Sequence, residues 1–217
     1  MSLEVSKVVT TPHRYRAGHR LVKPVDLLVM HYTAVPFWSR TSHGSNPRRI
    51  VNWLSGTGRK SSTHFVVLRN GDVIQGAPLS DRTWHAGGSK FTTPSGETMS
   101  NINGRSIGLD FDNVGMLYEV KPDVFVDAYG YSSYRKTKKV PRSTYKGPTP
   151  VEVDGQFWEP YPEVAVDSMR EVITHLVEEF PTLQGDTWRL VGHQDVRHTK
   201  SDPGGACPMD DLRQLLS

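Results

Sequence analysis

Asp26-Leu27-Leu28-Val29-Met30-His31 is the stretch that decides the fold. Its apolar residues run on without alternating with polar ones. That is the pattern of a strand buried on both faces, and such strands belong to sheets covered by helices on both sides. The run ends on a histidine, so an imidazole stands at a strand end, where the active sites of α/β folds gather. Taken alone, His31 could equally be a hydrogen-bonded histidine at a sheet edge.

Working outward, the same arrangement recurs. Trp188-Arg189-Leu190-Val191-Gly192 reads as a short last strand running into His193. Arg105-Ser106-Ile107-Gly108-Leu109-Asp110-Phe111 reads as another buried strand. Thr63-His64-Phe65-Val66-Val67-Leu68 reads as a strand, Arg69-Asn70-Gly71-Asp72 as a hairpin turn and Val73-Ile74-Gln75 as its partner. Ile50, Val51, Trp53 and Leu54 suggest a helix ending near Gly56. Val166, Met169, Ile173, Leu176, Val177 and Phe180 predict a core-facing helix from about Pro162 to Phe180. Pro208 opens a terminal helix through Leu212, Leu215 and Leu216. Alternating strands and helices predict an α/β fold with a central mixed sheet flanked by helices and the site at strand ends. A single domain is expected over residues 1–217, with an N-terminal arm over 1–24. Residues from about 114 to 161, rich in Tyr, Pro, Lys and Thr and with strand signals around Val124-Phe125-Val126, read as an irregular insertion bordering the substrate cleft.

Composition removes several classes. The chain has 217 residues, 36% hydrophobic and 23% charged, enough for one sizeable core. No stretch approaches the roughly 18 apolar residues of a membrane helix. Met1-Ser2-Leu3-Glu4-Val5-Ser6-Lys7 carries no apolar signal core. Cys207 is the one cysteine, so no intrachain disulfide can form. The net charge of +3 suits an anionic polymer without demanding one. Arg135-Lys136-Thr137-Lys138-Lys139 reads as a solvated loop. It lacks the wider stripe with interleaved aromatics, or the recognition helix, that a nucleic-acid site carries. Neither nucleic acid nor membrane is expected as a partner, and a monomer is expected.

The chemistry-bearing residues are few. His31, His193 and Asp202 could be folded together into a three-ligand zinc site with one position left for water. Such zinc lowers the pKa of its water to about 7 and polarises a carbonyl oxygen. Lys200 stands two positions before Asp202 and is a candidate oxyanion stabiliser; a plain surface lysine is the alternative. Asp110 could be a general base, or a carboxylate that orients a ligating histidine. Trp84 and His85, before Gly87-Gly88, could wall a cleft for a sugar or peptide. A packed tryptophan beside a satisfied histidine is the other reading. His64, inside an apolar strand, reads as structural.

These motifs occur in an order that resembles a known family, the zinc-dependent N-acetylmuramoyl-L-alanine amidases of the type-2 amidase and peptidoglycan-recognition-protein superfamily. The carriers are His31 after its strand, Thr63-His64-Phe65-Val66-Val67 with its hairpin, Trp84-His85-Ala86-Gly87, Ser106-Ile107-Gly108-Leu109-Asp110, and Val191-Gly192-His193 through Lys200-Ser201-Asp202-Pro203-Gly204. They span about residues 26 to 113 and 162 to 213. The resemblance implies hydrolysis of the amide between the lactyl group of N-acetylmuramic acid and L-alanine, in peptidoglycan or muropeptide fragments. It implies Zn2+ held by His31, His193 and Asp202, with Lys200 as helper. A binding module that recognises muropeptides without cutting them is the alternative, and the presence of all three ligands argues against it. Synthesis in the cytoplasm, with release or secretion to the wall, is compatible with the amino terminus.

Three positions test the resemblance. The carboxylate branch usually has Glu where this chain has Asp110, one methylene shorter. Thr63 stands where some members have tyrosine. Ala206-Cys207-Pro208 is similar to the cysteine-ligand branches, so Cys207 rivals Asp202. Spacing from Lys200 and the following Pro203-Gly204 favour Asp202.

Overall fold

The structure is a computed structural model that describes residues 9–10, 25–54 and 61–217. The expected arm over 1–24 lies outside the described residues except at Val9 and Thr10, and Gly56 lies outside them too. The strands are β1 (Val9–Thr10), β2 (Leu27–Tyr32), β3 (Phe65–Val67), β4 (Val73–Gln75), β5 (Phe91–Thr92), β6 (Thr98–Met99), β7 (Ser106–Phe111), β8 (Met116–Lys121), β9 (Val124–Val126), β10 (Val151–Val153), β11 (Gln156–Trp158) and β12 (Leu190–Gly192). The helices are α1 (Pro47–Leu54), α2 (Ile102–Arg105), α3 (Ala128–Thr137), α4 (Glu163–Glu179), α5 (His193–Val196) and α6 (Met209–Arg213).

Six strands form one mixed sheet in the order β1-β4-β3-β7-β2-β12. Its centre is parallel: β7, β2 and β12 run side by side, with His31 opposite Asp110 and Met30 opposite Gly192. Every residue of β2 from Leu27 to Met30 has no exposed surface, as its unbroken apolar run requires. Both faces are covered. On one, Leu28, Met30, Ile107, Leu109 and Phe111 meet Val166, Met169, Val172, Ile173 and Leu176 of α4. Each such side chain contributes roughly 1.5–3 kcal/mol on burial. On the other, Leu27, Val29 and Val191 meet Ala86, Met99, Ile102 and Val196. Ile50 of α1 closes a third cluster with Val66, Leu68 and Ile74. Helix α4 stops at Phe180 because Pro181 follows and cannot continue it.

The β3–β4 hairpin is present, and Asn70 and Gly71 lie in its turn as expected. Only Gly71 takes a positive φ, 85°, after Arg69 and Asn70 have turned the chain. This is a three-residue loop closed by a left-handed glycine.

Residues 114–161 are not irregular. They fold into a four-stranded antiparallel sheet, β10-β11-β8-β9, and the ten-residue helix α3. Asp127 caps that helix through Gly130 N at 2.8 Å. The expected solvated loop at 135–139 begins inside it, with Arg135 and Lys136 in its last turn. Among the described residues, no helix is long and apolar enough to cross a membrane.

Candidate metal centre

Three parallel neighbouring strands end on the same side of the sheet, and each delivers a site residue there. His31 is the fifth residue of β2, Asp110 the fifth of β7, and His193 follows β12 directly. Asp195 accepts from Gly192 N at 2.8 Å, which holds the turn that presents His193. Asp202 comes back over this edge on the loop after α5. Its carbonyl accepts from Gln194 N at 3.1 Å.

The loop brings three donors into one triangle. His31 Nδ1 lies 2.8 Å from Asp202 Oδ2, His193 Nδ1 lies 3.0 Å from the same oxygen, and the two Nδ1 atoms are 3.1 Å apart. All three residues are buried, and together they form a group able to hold a metal ion. Donors around a tetrahedral zinc with bonds of about 2.0 Å lie about 3.3 Å apart, so the triangle is close to the right size. Two imidazoles and a carboxylate are also the donor set for such an ion. Burial opposes the charge on Asp202, yet hydrogen bonds from His193 and His31 hold its carboxyl well below the usual range. Burial likewise lowers His31, but the Asp202 hydrogen bond and the nearby Asp110 charge raise it on balance. Burial keeps His193 below its ordinary value.

A hydrogen-bond chain orients His31 from behind. Ser106 Oγ donates to the Ile102 carbonyl at 2.6 Å, so it accepts from His85 Nε2 at 3.0 Å. His85 Nδ1 is then left as an acceptor, 3.1 Å from His31 Nε2. His31 keeps its proton on Nε2, so loss of the Nδ1 proton that it shares with Asp202 would leave a lone pair directed at the triangle. His85 can lie flat against the sheet only because residue 108 is glycine: a Cβ there would come 2.7 Å from its ring. Sequence reasoning missed Ser106 and Gly108. The signal was the alternation Ser106, Gly108, Asp110, which puts one small or polar residue after another on the site face of β7.

The triangle opens into a cleft of about 310 Å³ lined also by Thr63, Trp84, His85, Asp110, Lys200 and Ser201. Asp110 is buried, and that desolvation raises its pKa to about 6 against the opposing charge of His31. Lys200 is exposed at the rim. Trp84 is 40% exposed, with the Arg82 guanidinium 4.3 Å from its ring centre. His85 lines the cleft too, but its ring nitrogens are engaged with His31 and Ser106. His64 is structural in its contacts: Nε2 meets the Asp81 carbonyl and Nδ1 accepts from Gly108 N. Cys207 sits instead in the core beneath α4, where burial pushes its thiol up.

None of residues 114–161 lines this cleft. They brace the ligand loop from outside. Gly204, at φ 82°, lies so close under Trp158 that a Cβ would meet the indole at 2.3 Å. Tyr161 donates to the Pro203 carbonyl at 2.6 Å, and Tyr32 meets Ser201 at 2.8 Å. The insertion is locked down by Arg69, a residue of the β3–β4 turn. Its guanidinium is held by Glu159 through two bonds and by Asp112 through one, each 2.8 Å, with all three side chains buried.

Residues 21–205 match the family model described as N-acetylmuramoyl-L-alanine amidase. A curated relative, the 1,6-anhydro-N-acetylmuramyl-L-alanine amidase AmpD of Haemophilus influenzae, is 23% identical over 189 residues, 83% of this chain and 76% of its own. Among solved structures, a selenomethionine AmpD superposes with a TM-score of 0.58 at 17% identity, covering 97% of this chain and 94% of its own. AmpDh3 of Pseudomonas aeruginosa, in complex with an anhydromuramic pentapeptide, gives 0.56 at 20% identity, covering 93% and 64%. AmiD of E. coli, with anhydro-N-acetylmuramic acid-L-Ala-D-γ-Glu-L-Lys, gives 0.56 at 18% identity, covering 90% and 59%. At these identities the superpositions establish the fold.

Proposed function

Because the chain belongs to the N-acetylmuramoyl-L-alanine amidase family, whose model spans its residues 21–205, we propose that His31, His193 and Asp202 are the ligands of a catalytic zinc ion. The reaction is hydrolysis of the amide joining the lactyl group of N-acetylmuramic acid to L-alanine. The observation that carries the ligand assignment is the triangle of donors at 2.8 to 3.1 Å beside the buried Asp110 and open to the cleft. Cys207 lies in the core, apart from the triangle, which supports Asp202 over it.

A zinc ion bound there supplies Lewis acidity toward the amide carbonyl and makes a water nucleophilic near neutral pH. The chain's own residues do the rest. Asp110 takes the proton of the attacking water and hands it to the departing amine of L-alanine. Its pKa, raised to about 6, suits both transfers near neutrality. The Lys200 ammonium, free to swing at the rim, pairs with the oxyanion as the carbonyl carbon becomes tetrahedral. Trp84 packs against the sugar or the peptide stem. His85 keeps the Nδ1 lone pair of His31 on the metal side. Muropeptides are the ligand class, by analogy with the complexes of the same fold described above.

The test is digestion of purified sacculi or of a soluble muramyl peptide, with the new amino terminus identified. L-Alanine should appear there, and chelation should stop its release. No new alanine terminus, or full activity in the stripped protein, would overturn the assignment.

A further inference from the structure

A second cleft, about 790 Å³, opens between the segment after β2 and the insertion. Arg40, Arg49, Arg142 and Lys146 line it, and all four are exposed. Among the described residues none of them is in an ion pair; the Arg40 guanidinium lies 5.4 Å from the Trp38 ring centre. The lining includes one carboxylate, Asp127, and its Oδ1 accepts from Gly130 N as the cap of α3. Phe37, Trp38, Tyr129 and Tyr145 supply aromatic faces, with Phe37 and Tyr145 edge to face at 6.1 Å.

The charge is local. From Ala128 to Pro150 there are six cations and no carboxylate. Without those six, the remaining 20 basic and 23 acidic residues would leave the chain at −3, so the positive balance belongs to this segment. Guanidiniums bind carboxylates through paired hydrogen bonds, and aromatic faces take the apolar faces of sugar rings. The cleft therefore fits a polymer that offers both. It also adjoins the catalytic site along the chain. One stretch of chain carries His31 to Ala34 along the first cleft and Pro36 to Arg40 along the second.

Resting on the amidase reading above, we propose that this groove grips the anionic, peptide-bearing glycan of peptidoglycan at repeats next to the one being cut. Carboxylates of neighbouring stem peptides pair with Arg40, Arg142 and Lys146, while sugar rings lie on Trp38 and Tyr129. A second point of attachment raises the effective concentration of the next bond at the catalytic site. The preferred substrate is then the polymer rather than a short soluble fragment. A lining that begins two residues after that of the catalytic cleft favours the wall glycan over nucleic acid, which would have no reason to adjoin that cleft.

The experiment compares the full chain with the triple variant Arg40→Glu/Arg142→Glu/Lys146→Glu and with Trp38→Ala. Three readouts are taken: cosedimentation with sacculi, turnover of sacculi, and turnover of a soluble muramyl tripeptide. The charge-reversed protein should lose about tenfold or more in sacculus binding and turnover, with kcat on the tripeptide unchanged. Added salt should bring the unmodified protein down toward it. Trp38→Ala should act in the same direction, without the salt dependence. Unchanged binding to sacculi would overturn the proposal. So would equal losses on both substrates, or a charge-dependent affinity for DNA exceeding that for sacculi. His193→Ala, unable to turn over either substrate, should still sediment with sacculi. The groove is thus tested by binding even if the amidase reading fails.

Discussion

At the residue scale, the direction of one hydrogen bond constrains the others around His31. Ser106 Oγ gives its proton to the Ile102 carbonyl, so the proton between Ser106 and His85 must belong to His85 Nε2. That assignment propagates to His31 and fixes which of its nitrogens is free for a metal. Replacing His85 by Ala should weaken zinc binding about 10–100-fold while leaving the fold intact, as measured by competition with a chromophoric chelator. Unaltered affinity would show that His85 merely fills the cleft wall. Asp110 calls for a kinetic test. Burial raises its pKa to about 6, and the base works only when deprotonated. Hence kcat/KM should fall as pH descends through about 6, or somewhat lower once a bound cation favours the carboxylate. Asp110→Asn should lower the rate about 10²–10⁴-fold with zinc retained, and this acid limb should vanish. If the limb survives, another group carries the proton. Lys200→Ala, with zinc likewise retained, should cost about 10²–10³ in kcat, and an unchanged kcat would reduce Lys200 to a surface charge.

At the scale of elements, the ligand loop is held by what packs on its back. Trp158 of β11 is 5% exposed and covers Gly204, while Tyr161 bonds the Pro203 carbonyl. Trp158→Ala should cost about 3–5 kcal/mol of stability, read from denaturant midpoints. It should also weaken zinc binding, because Asp202 loses its support; stability lost at undiminished affinity would uncouple the insertion from the site. The main sheet and α4 were legible because their signals are local. An unbroken apolar run gives β2, and a stripe at helical spacing gives α4. The members of the triangle were legible because His31 stands near the end of one readable strand, His193 follows another, and Asp202 comes nine positions after His193. Beyond the strand at Val124–Val126, the insertion was not, for a physical reason. Of the three residues in β10 none is buried, and in β11 only Trp158 is, so neither has a two-faced burial pattern to announce it. Arg69 was illegible for a different one: Asp112 and Glu159 lie 43 and 90 residues along the chain from it. The His85 relay likewise joins residues 21 and 54 positions apart, contacts that no local spacing encodes.

Over the whole molecule, the proposed ligand set would link metal binding to folding through the same three side chains. Without a cation, Asp202 and Asp110 favour the protonated form of His31 and raise its pKa against the effect of burial. Asp202 is held ionised well below the usual carboxylate range. In the stripped protein His31 therefore stabilises the fold most fully below its unfolded value of about 6.5, and that contribution fades as pH rises through the raised value. The Asp202 contribution is complete above about 3.8 and fades only on acidification below it. Zinc needs the Nδ1 lone pair, so it must displace the His31 proton, and its apparent affinity should grow as pH rises. His193, already lowered by burial, presents no such competition at neutrality. Any ion bound to the native state alone stabilises it by RT ln(1 + [L]/Kd), about 4 kcal/mol at a thousandfold excess over Kd. The two trends oppose each other: with rising pH the stripped protein loses the His31 contribution while the loaded protein gains in metal affinity. At fixed free zinc, the gap in Tm between loaded and stripped protein should therefore widen from pH 6 to pH 8. In Asp202→Ala the gap should collapse, and in Cys207→Ser it should persist. A gap that ignores pH, or that survives loss of Asp202 and disappears with Cys207, would move the ligand set away from the His31–His193–Asp202 triangle.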